Sequence, residues 1–289
     1  MKSAKLLLLP VASVILSTLP FVFTRIIGRI AGLLFYLVDA HKRQAFATNF
    51  RYLFSSHTTG SKSINSYVRK TFENFVLASI GFMQIHRFTR QQLMNLVETR
   101  GQKFLTQALA QCRGVLLVSP HLGDWELACY VTAKMGYPLV VAAEPISPEH
   151  SQALGRFRRW SGLEVVMRTE PIKMLNALKR NKILLLAGDR DFAGTGIELP
   201  FFAGRRSIPR GPATLALRTG AVLLVGYFVL NPGQGKKPYL GVIEPPVEYA
   251  STGNRDRDVN RLTEILTDRL CRAIQTYPDQ WFVYNSEWR

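Results

Sequence analysis

The pattern of apolar and polar positions divides the chain into two unlike parts. At the N-terminus, Lys2 and Lys5 precede an apolar run from Leu6 to Phe23, roughly 18 residues and near the lower limit for crossing a bilayer. Pro10 and Pro20 interrupt it, and Ser13, Ser17 and Thr18 dilute it. A second stretch, Ile26 to Val38, carries Arg29 and is too short to span alone. Lys42, Arg43 and Arg51 follow. Three readings compete here: a cleaved signal peptide, a buried helix, and a membrane anchor that spans or lies in the interface. No small-x-small cleavage site is clear, and the basic flanks favour an anchor with the main domain on the cytoplasmic side. The expected division is an N-terminal hydrophobic membrane helix within residues 1–45 and a catalytic-sized body over 46–289.

Beyond the anchor the period changes. From Ser61 to Met83, Ile64, Tyr67, Val68, Phe72, Phe75, Val76 and Ile80 recur at helical spacing. After Gly101, helical stretches alternate with short apolar runs. The runs Gly114–Val118, Leu139–Ala143, Leu163–Met167, Ile183–Ala187, Val222–Leu230 and Tyr239–Ile243 predict strands. Lys103–Gln111, Asp124–Lys134, Pro148–Trp160, Pro171–Arg180, Arg210–Arg218 and Arg257–Ile274 predict helices. Such alternation predicts an α/β sheet covered by helices.

Composition narrows the classes. Lys and Arg number 37 against 20 Asp and Glu, a formal net charge of +17. That excess calls for an anionic partner: nucleic acid, an anionic lipid surface, or an acidic protein or substrate. No basic element interleaved with aromatics and no reading motif is present, and the apolar N-terminus also argues against nucleic acid. The 289 residues are 47% hydrophobic, which excludes wholesale disorder. Cys112, Cys129 and Cys271 are too few and too scattered for a disulfide framework.

Chemistry concentrates at two strand ends. Ser119-Pro120-His121-Leu122-Gly123-Asp124-Trp125-Glu126 follows the run Val115 to Val118, and sites in open α/β sheets gather past the carboxyl ends of strands. A histidine with a nearby carboxylate is the minimal general-base pair, because the carboxylate fixes one tautomer and stabilises the imidazolium. Spacing leaves Glu126 and Asp124 both open as that carboxylate. His41, His57, His86 and His150 are scattered, so a zinc site is not expected. No G-x-S-x-G elbow is present, and Cys129 reads as a small core residue. The second segment, Gly188-Asp189-Arg190-Asp191-Phe192, lies just past Ile183–Ala187; ion pairing and site shaping both fit it. Arg205, Arg206 and Arg210 beside a helix start, and Arg156, Arg158 and Arg159 near the end of an earlier helix, suit a phosphate or an acidic carrier surface.

In this order the motifs resemble the bacterial lipid A biosynthesis acyltransferases of the lauroyl/myristoyl type and the related phosphatidylinositol mannoside acyltransferases, within the glycerolipid acyltransferase superfamily. His121-Leu122-Gly123-Asp124-Trp125-Glu126 resembles the family's H-x4-D/E motif. Asp189-Arg190-Asp191 with Phe201-Phe202-Ala203-Gly204 resembles its later acidic motif, and Pro278-Asp279-Gln280-Trp281 its C-terminal segment. Ala203 departs from the direct Phe-Phe-Gly of many members, and Ser119-Pro120 replaces the Asn before the histidine. The resemblance implies a mixed central sheet flanked by helices and transfer of an acyl group to a glycolipid hydroxyl. It implies His121 as general base oriented by Glu126, and Asp124, Arg158, Arg159, Asp189, Arg190, Asp191 and Arg210 around the substrates. It also implies acyl carrier protein or acyl-CoA as co-substrate, no other cofactor and no metal. An anionic membrane lipid is the expected partner, a monomer the expected state, and the cytoplasmic face of the inner membrane the expected location. A lysophospholipid or glycerol-phosphate acyltransferase is the nearest alternative; a non-catalytic membrane scaffold on the same fold is the alternative of another class.

Overall fold

Alternate residues of the central strands point to different helical layers. In β2 (Val115–Ser119), Leu116 and Val118 pack with Leu184, Leu186, Leu223 and Val225 against one set of helices, while Val115 and Leu117 pack against another. Both faces are therefore covered, and every residue of β2 is buried. This explains why the strand reads as an unbroken apolar run rather than an alternation. Full burial of each such Val or Leu stabilises by about 1.5–3 kcal/mol.

The computed structural model describes residues 21–55, 63–84, 88–144, 163–231, 237–285 and 287–289. Three N-terminal helices, α1 (Phe21–Val38), α2 (Ala40–Phe54) and α3 (Ile64–Gln84), precede the sheet. Then come α4 (Arg90–Leu96), β1 (Val97–Arg100), α5 (Gln102–Ala110), β2, α6 (Trp125–Lys134), β3 (Leu139–Ala143), β4 (Glu164–Met167), α7 (Pro171–Lys179) and β5 (Ile183–Ala187). The chain continues through β6 (Ile197–Phe201), β7 (Gly204–Ile208), α8 (Gly211–Thr219), β8 (Val222–Leu230), β9 (Tyr239–Ile243) and α9 (Arg255–Thr276). The sheet has seven strands in the order β1-β9-β8-β2-β5-β3-β4. Only β8 and β9 pair antiparallel within it, so it is mixed, as the resemblance implied. β6 and β7 form a separate hairpin. α7, α8 and α9 cover one face, α5 and α6 the other.

The expected N-terminal membrane helix finds no support among the described residues: no helix there is long and apolar enough to cross a membrane. α1 lies on α3, and Gly32 permits the contact: a Cβ there would fall 2.6 Å from the Glu73 Cα. Arg25 and Arg29 break the apolar run, so α1 is amphipathic rather than apolar all round. Most of the run from Leu6 falls on residues 1–20, outside the described residues, as does the predicted helix Pro148–Trp160. β1, α4 and the β6–β7 hairpin add to the predicted elements. β1 escaped because it is a four-residue edge strand with a mostly polar sequence, Val-Glu-Thr-Arg.

Candidate active site

Register brings the two chemical segments together. β2 and β5 are parallel neighbours, with Ser119 opposite Ala187. Each chain runs two residues further, one to His121 and the other to Asp189, and the Gly188 N–H donates to the Ser119 carbonyl at 3.0 Å. Asp189 Oδ1 then lies 2.6 Å from His121 Nδ1. Asp189 Oδ2 accepts from the His121 backbone N–H at 3.0 Å and from the Trp281 indole N–H at 2.9 Å. The Asp189 side chain is fully buried, whereas that of His121 keeps 16% exposure.

The loop carrying His121 is clamped. Gly123 donates to the Gln280 carbonyl at 2.8 Å, and Phe282 donates to the His121 carbonyl at 3.0 Å. Gly123 has φ +66°, and a Cβ there would lie 2.0 Å from the Phe228 carbonyl oxygen, so only glycine fits. The C-terminal segment is itself tied down by Asn49, which donates to the Val283 carbonyl at 2.6 Å and accepts from the Trp288 indole at 2.7 Å.

Charge in this pair follows its partners. Burial alone would raise Asp189, but the imidazole beside it and the three hydrogen bonds prevail and hold it down at about 2. Burial alone would lower His121; the Asp189 carboxylate outweighs it, and the ring titrates above its ordinary 6.5. The contact fixes the tautomer with the proton on Nδ1, leaving Nε2 as an acceptor.

His121 opens on a cavity of about 450 Å³ walled by Phe75, Ala78, Phe82, Trp125, Val141 and Leu185. Its lining is mostly apolar, with Glu126 and Glu144 as the other acids of the wall besides Asp124. Trp125 meets the imidazole edge to face at 5.6 Å between ring centres. Glu144, at the end of β3, is pushed up by burial, opposed by His121 and by Arg168, which pairs with it at 2.7 Å.

The structure reassigns several expected roles. Asp189, not Glu126, holds His121 Nδ1. Glu126 sits in the first turn of α6 and lines the same cavity. Proximity in sequence had left Glu126 and Asp124 open, but the acid on Nδ1 comes from the adjacent strand. Asp124 was expected around the substrate; it lines the cavity, and its Oδ1 also caps α6, accepting from the Leu127 N–H at 2.9 Å. Burial pushes Asp124 up to about 8, and its Oδ2 has no hydrogen-bond partner. Asp191 ties its own loop to β7, accepting from the Gly196 N–H and Ser207 Oγ, each at 2.7 Å. Arg190 lies over the Phe192 ring at 4.0 Å and reaches Glu287 at 3.6 Å. Arg210 pairs with Asp256 at 2.9 Å on the surface. Arg158 and Arg159 lie outside the described residues. Arg206 is wholly buried among Phe201, Trp281 and Trp288, its guanidinium 5.2–5.5 Å from the three rings, and is not a surface anion contact. Among the described residues no three His, Cys, Asp or Glu side chains group to hold a metal.

Glu144, Arg168 and the role of Trp281 escaped the reading of the sequence. Only Trp281 had a signal, the Pro-Asp-Gln-Trp segment.

Comparison with known proteins places the chain among acyltransferases. The sequence model of bacterial lipid A biosynthesis acyltransferases matches residues 5–289. A phosphatidylinositol mannoside acyltransferase of Mycobacterium tuberculosis is 30% identical over 233 residues, 78% of this chain and 69% of that protein. Its namesake from Mycolicibacterium smegmatis is 31% identical over 191 residues, 64% of this chain and 60% of that protein.

Proposed function

Since the chain belongs to the bacterial lipid A biosynthesis acyltransferase family, and is an acyltransferase, we propose that it moves a fatty-acyl chain from an acyl thioester to a hydroxyl of a glycolipid. The donor is acyl carrier protein or acyl-CoA; the acceptor is of the lipid A or phosphatidylinositol mannoside type. The observation that carries this reading is His121 at the wall of an apolar cavity, with its Nδ1 held by Asp189.

His121 Nε2 takes the proton of the acceptor hydroxyl as its oxygen attacks the thioester carbonyl. The buried Asp189 carboxylate stabilises the imidazolium that forms. When the tetrahedral intermediate collapses, the C–S bond breaks and the imidazolium returns the proton to the departing thiolate. Transfer is direct, without an acyl-enzyme: Ser119 lines the cavity, but its hydroxyl donates to the Pro120 carbonyl at 2.9 Å, and Cys129 is buried. The apolar walls take the acyl chain. Glu126, facing the same cavity, binds the polar acceptor. No metal or further cofactor takes part.

The enzyme works at the cytoplasmic face of the inner membrane, where its net charge of +17 attracts anionic lipid and the exposed apolar side of α1 enters the interface. Incubating the protein with labelled acyl-CoA and, separately, labelled acyl carrier protein, each with total membrane lipid, and identifying the product by mass spectrometry tests donor and acceptor together. Turnover of neither thioester would overturn the reading.

A further inference from the structure

Next to the catalytic cavity, on the neighbouring face of α3, lies a second hollow of different character. It measures about 320 Å³ and opens between α1, α3 and residues at the facing ends of β8 and β9. Phe75, Ala78 and Phe82 of α3 face the catalytic cavity, whereas Asn74, Leu77 and Gly81 face this one, and the two share no lining residue. Arg25, Arg29, Lys70 and Lys237 converge on it against a single lining carboxylate, Asp279. That carboxylate already accepts from Asn74 Nδ2 at 3.1 Å. Lys70 pairs with Glu73 at 3.1 Å, and Lys237 donates to the Met94 and Val97 carbonyls at 2.9 and 3.1 Å. Four basic side chains against the carboxylates of Asp279 and Glu73 leave the described walls cationic, and the hollow has room for a phosphate group.

α1 forms its rim, and the helix has three sides. Thr24, Gly28 and Gly32 turn toward α3. Phe23, Ile26, Ile30, Leu34 and Leu37 are 47–61% exposed and, at 3.6 residues per turn, occupy a stripe roughly 80° wide. Arg25 and Arg29 fall between those two sides. An apolar stripe and a cationic hollow thus adjoin along one helix, which is the arrangement of a lipid: chains on one side, phosphate at the boundary.

We infer that this hollow binds the phosphodiester headgroup of an anionic phospholipid whose chains lie along the exposed stripe of α1, at a site separate from the acyl-transfer centre. The inference rests on the membrane-surface reading above but not on the role of His121.

The test is vesicle binding by the full chain at constant salt, with phosphatidylcholine alone and with added phosphatidylglycerol. The variant Arg29→Gln/Lys70→Gln removes two of the lining cations. Arg257→Gln/Arg261→Gln, on the exposed side of α9, removes equal charge elsewhere. The pocket variant is expected to lose about 10–30-fold of its preference for the anionic vesicles, and the α9 variant little, both with unchanged melting temperature. If the double variant fails to fold, Arg29→Gln alone carries the test, because its side chain is exposed. Equal loss in both variants, or none in either, overturns the pocket while leaving membrane association intact. Failure of the wild type to bind either vesicle overturns both. Saturable binding of inorganic phosphate that the pocket variant loses, with vesicle binding unchanged, reassigns the hollow to a soluble phosphate and overturns the lipid.

Discussion

Two buried carboxylates lie near His121, one three residues along the chain and one brought in from β5, and they behave in opposite ways. Asp189, at the end of β5, meets an imidazole, an indole N–H and a backbone N–H and is held ionised at about 2. Asp124, at the start of α6, has one N–H on Oδ1 and none on Oδ2, and burial pushes it up to about 8. Both are almost without solvent exposure. Burial alone therefore does not decide charge; the donors on the carboxylate do. Past β5, Asp189 stays an anion that serves a base, while past β2, Asp124 stays a neutral acid that starts a helix.

Removing the base should have the largest effect. His121→Ala is expected to lower kcat by about 10³–10⁴-fold; near-normal transfer by that variant would remove the mechanism. Next comes the anion. Asp189→Asn should cost about 10³–10⁴-fold at most, read from kcat with acyl-CoA as donor. Its signature is the pH profile. In the wild type, activity should rise as the ring loses its proton, at a pH above 6.5, because Asp189 raises that pKa. With a neutral amide, burial acts without that counterweight, and the rising limb should move to lower pH. A limb that stays in place would mean that Asp189 does not govern the ring.

The same pair makes a stability prediction. His121 titrates higher when folded, so its contribution is complete below 6.5 and is lost as pH rises through the raised value. Asp189 titrates lower, so its contribution is complete above 3.8 and is lost as pH falls toward about 2. The melting-temperature gap between the wild type and Asp189→Asn should thus be widest between 3.8 and 6.5 and narrow on both sides. A gap independent of pH would reduce Asp189 to a packing role.

Asp124 should give the smallest effect. Asn is as good a helix cap and carries no charge, so Asp124→Asn should melt within about 1 kcal/mol of the wild type below pH 3.8, where the aspartate is protonated in both states. The Asp124 carboxyl titrates at about 8 when folded against 3.8 when unfolded, so the wild type loses stability relative to the variant as pH rises from 3.8 to about 8, and by a constant amount above that. A severe loss of transfer in this variant, with the fold intact, would return Asp124 to the substrate.

Much of this molecule was legible along the chain. The apolar runs that became β2, β5 and β8 read directly because strands buried on both faces have no polar alternation to confuse them. Gly123 and His121 stood out for the same local reason: a strand end followed by a turn needs glycine and places side chains outside the ladder. The resemblance carried the reaction class and the mixed sheet. The pairing inside the site did not read, because strand order is not a local property. His121 and Asp189 are far apart in sequence, and only the adjacency of β2 and β5, with Ser119 opposite Ala187, sets them side by side. Trp281 and Glu144 arrive from a C-terminal segment and a third strand for the same reason. Periodicity specifies which residues turn inward; which inward residues meet is decided by long-range packing, and it is there that one aspartate becomes an anion and the other a cap.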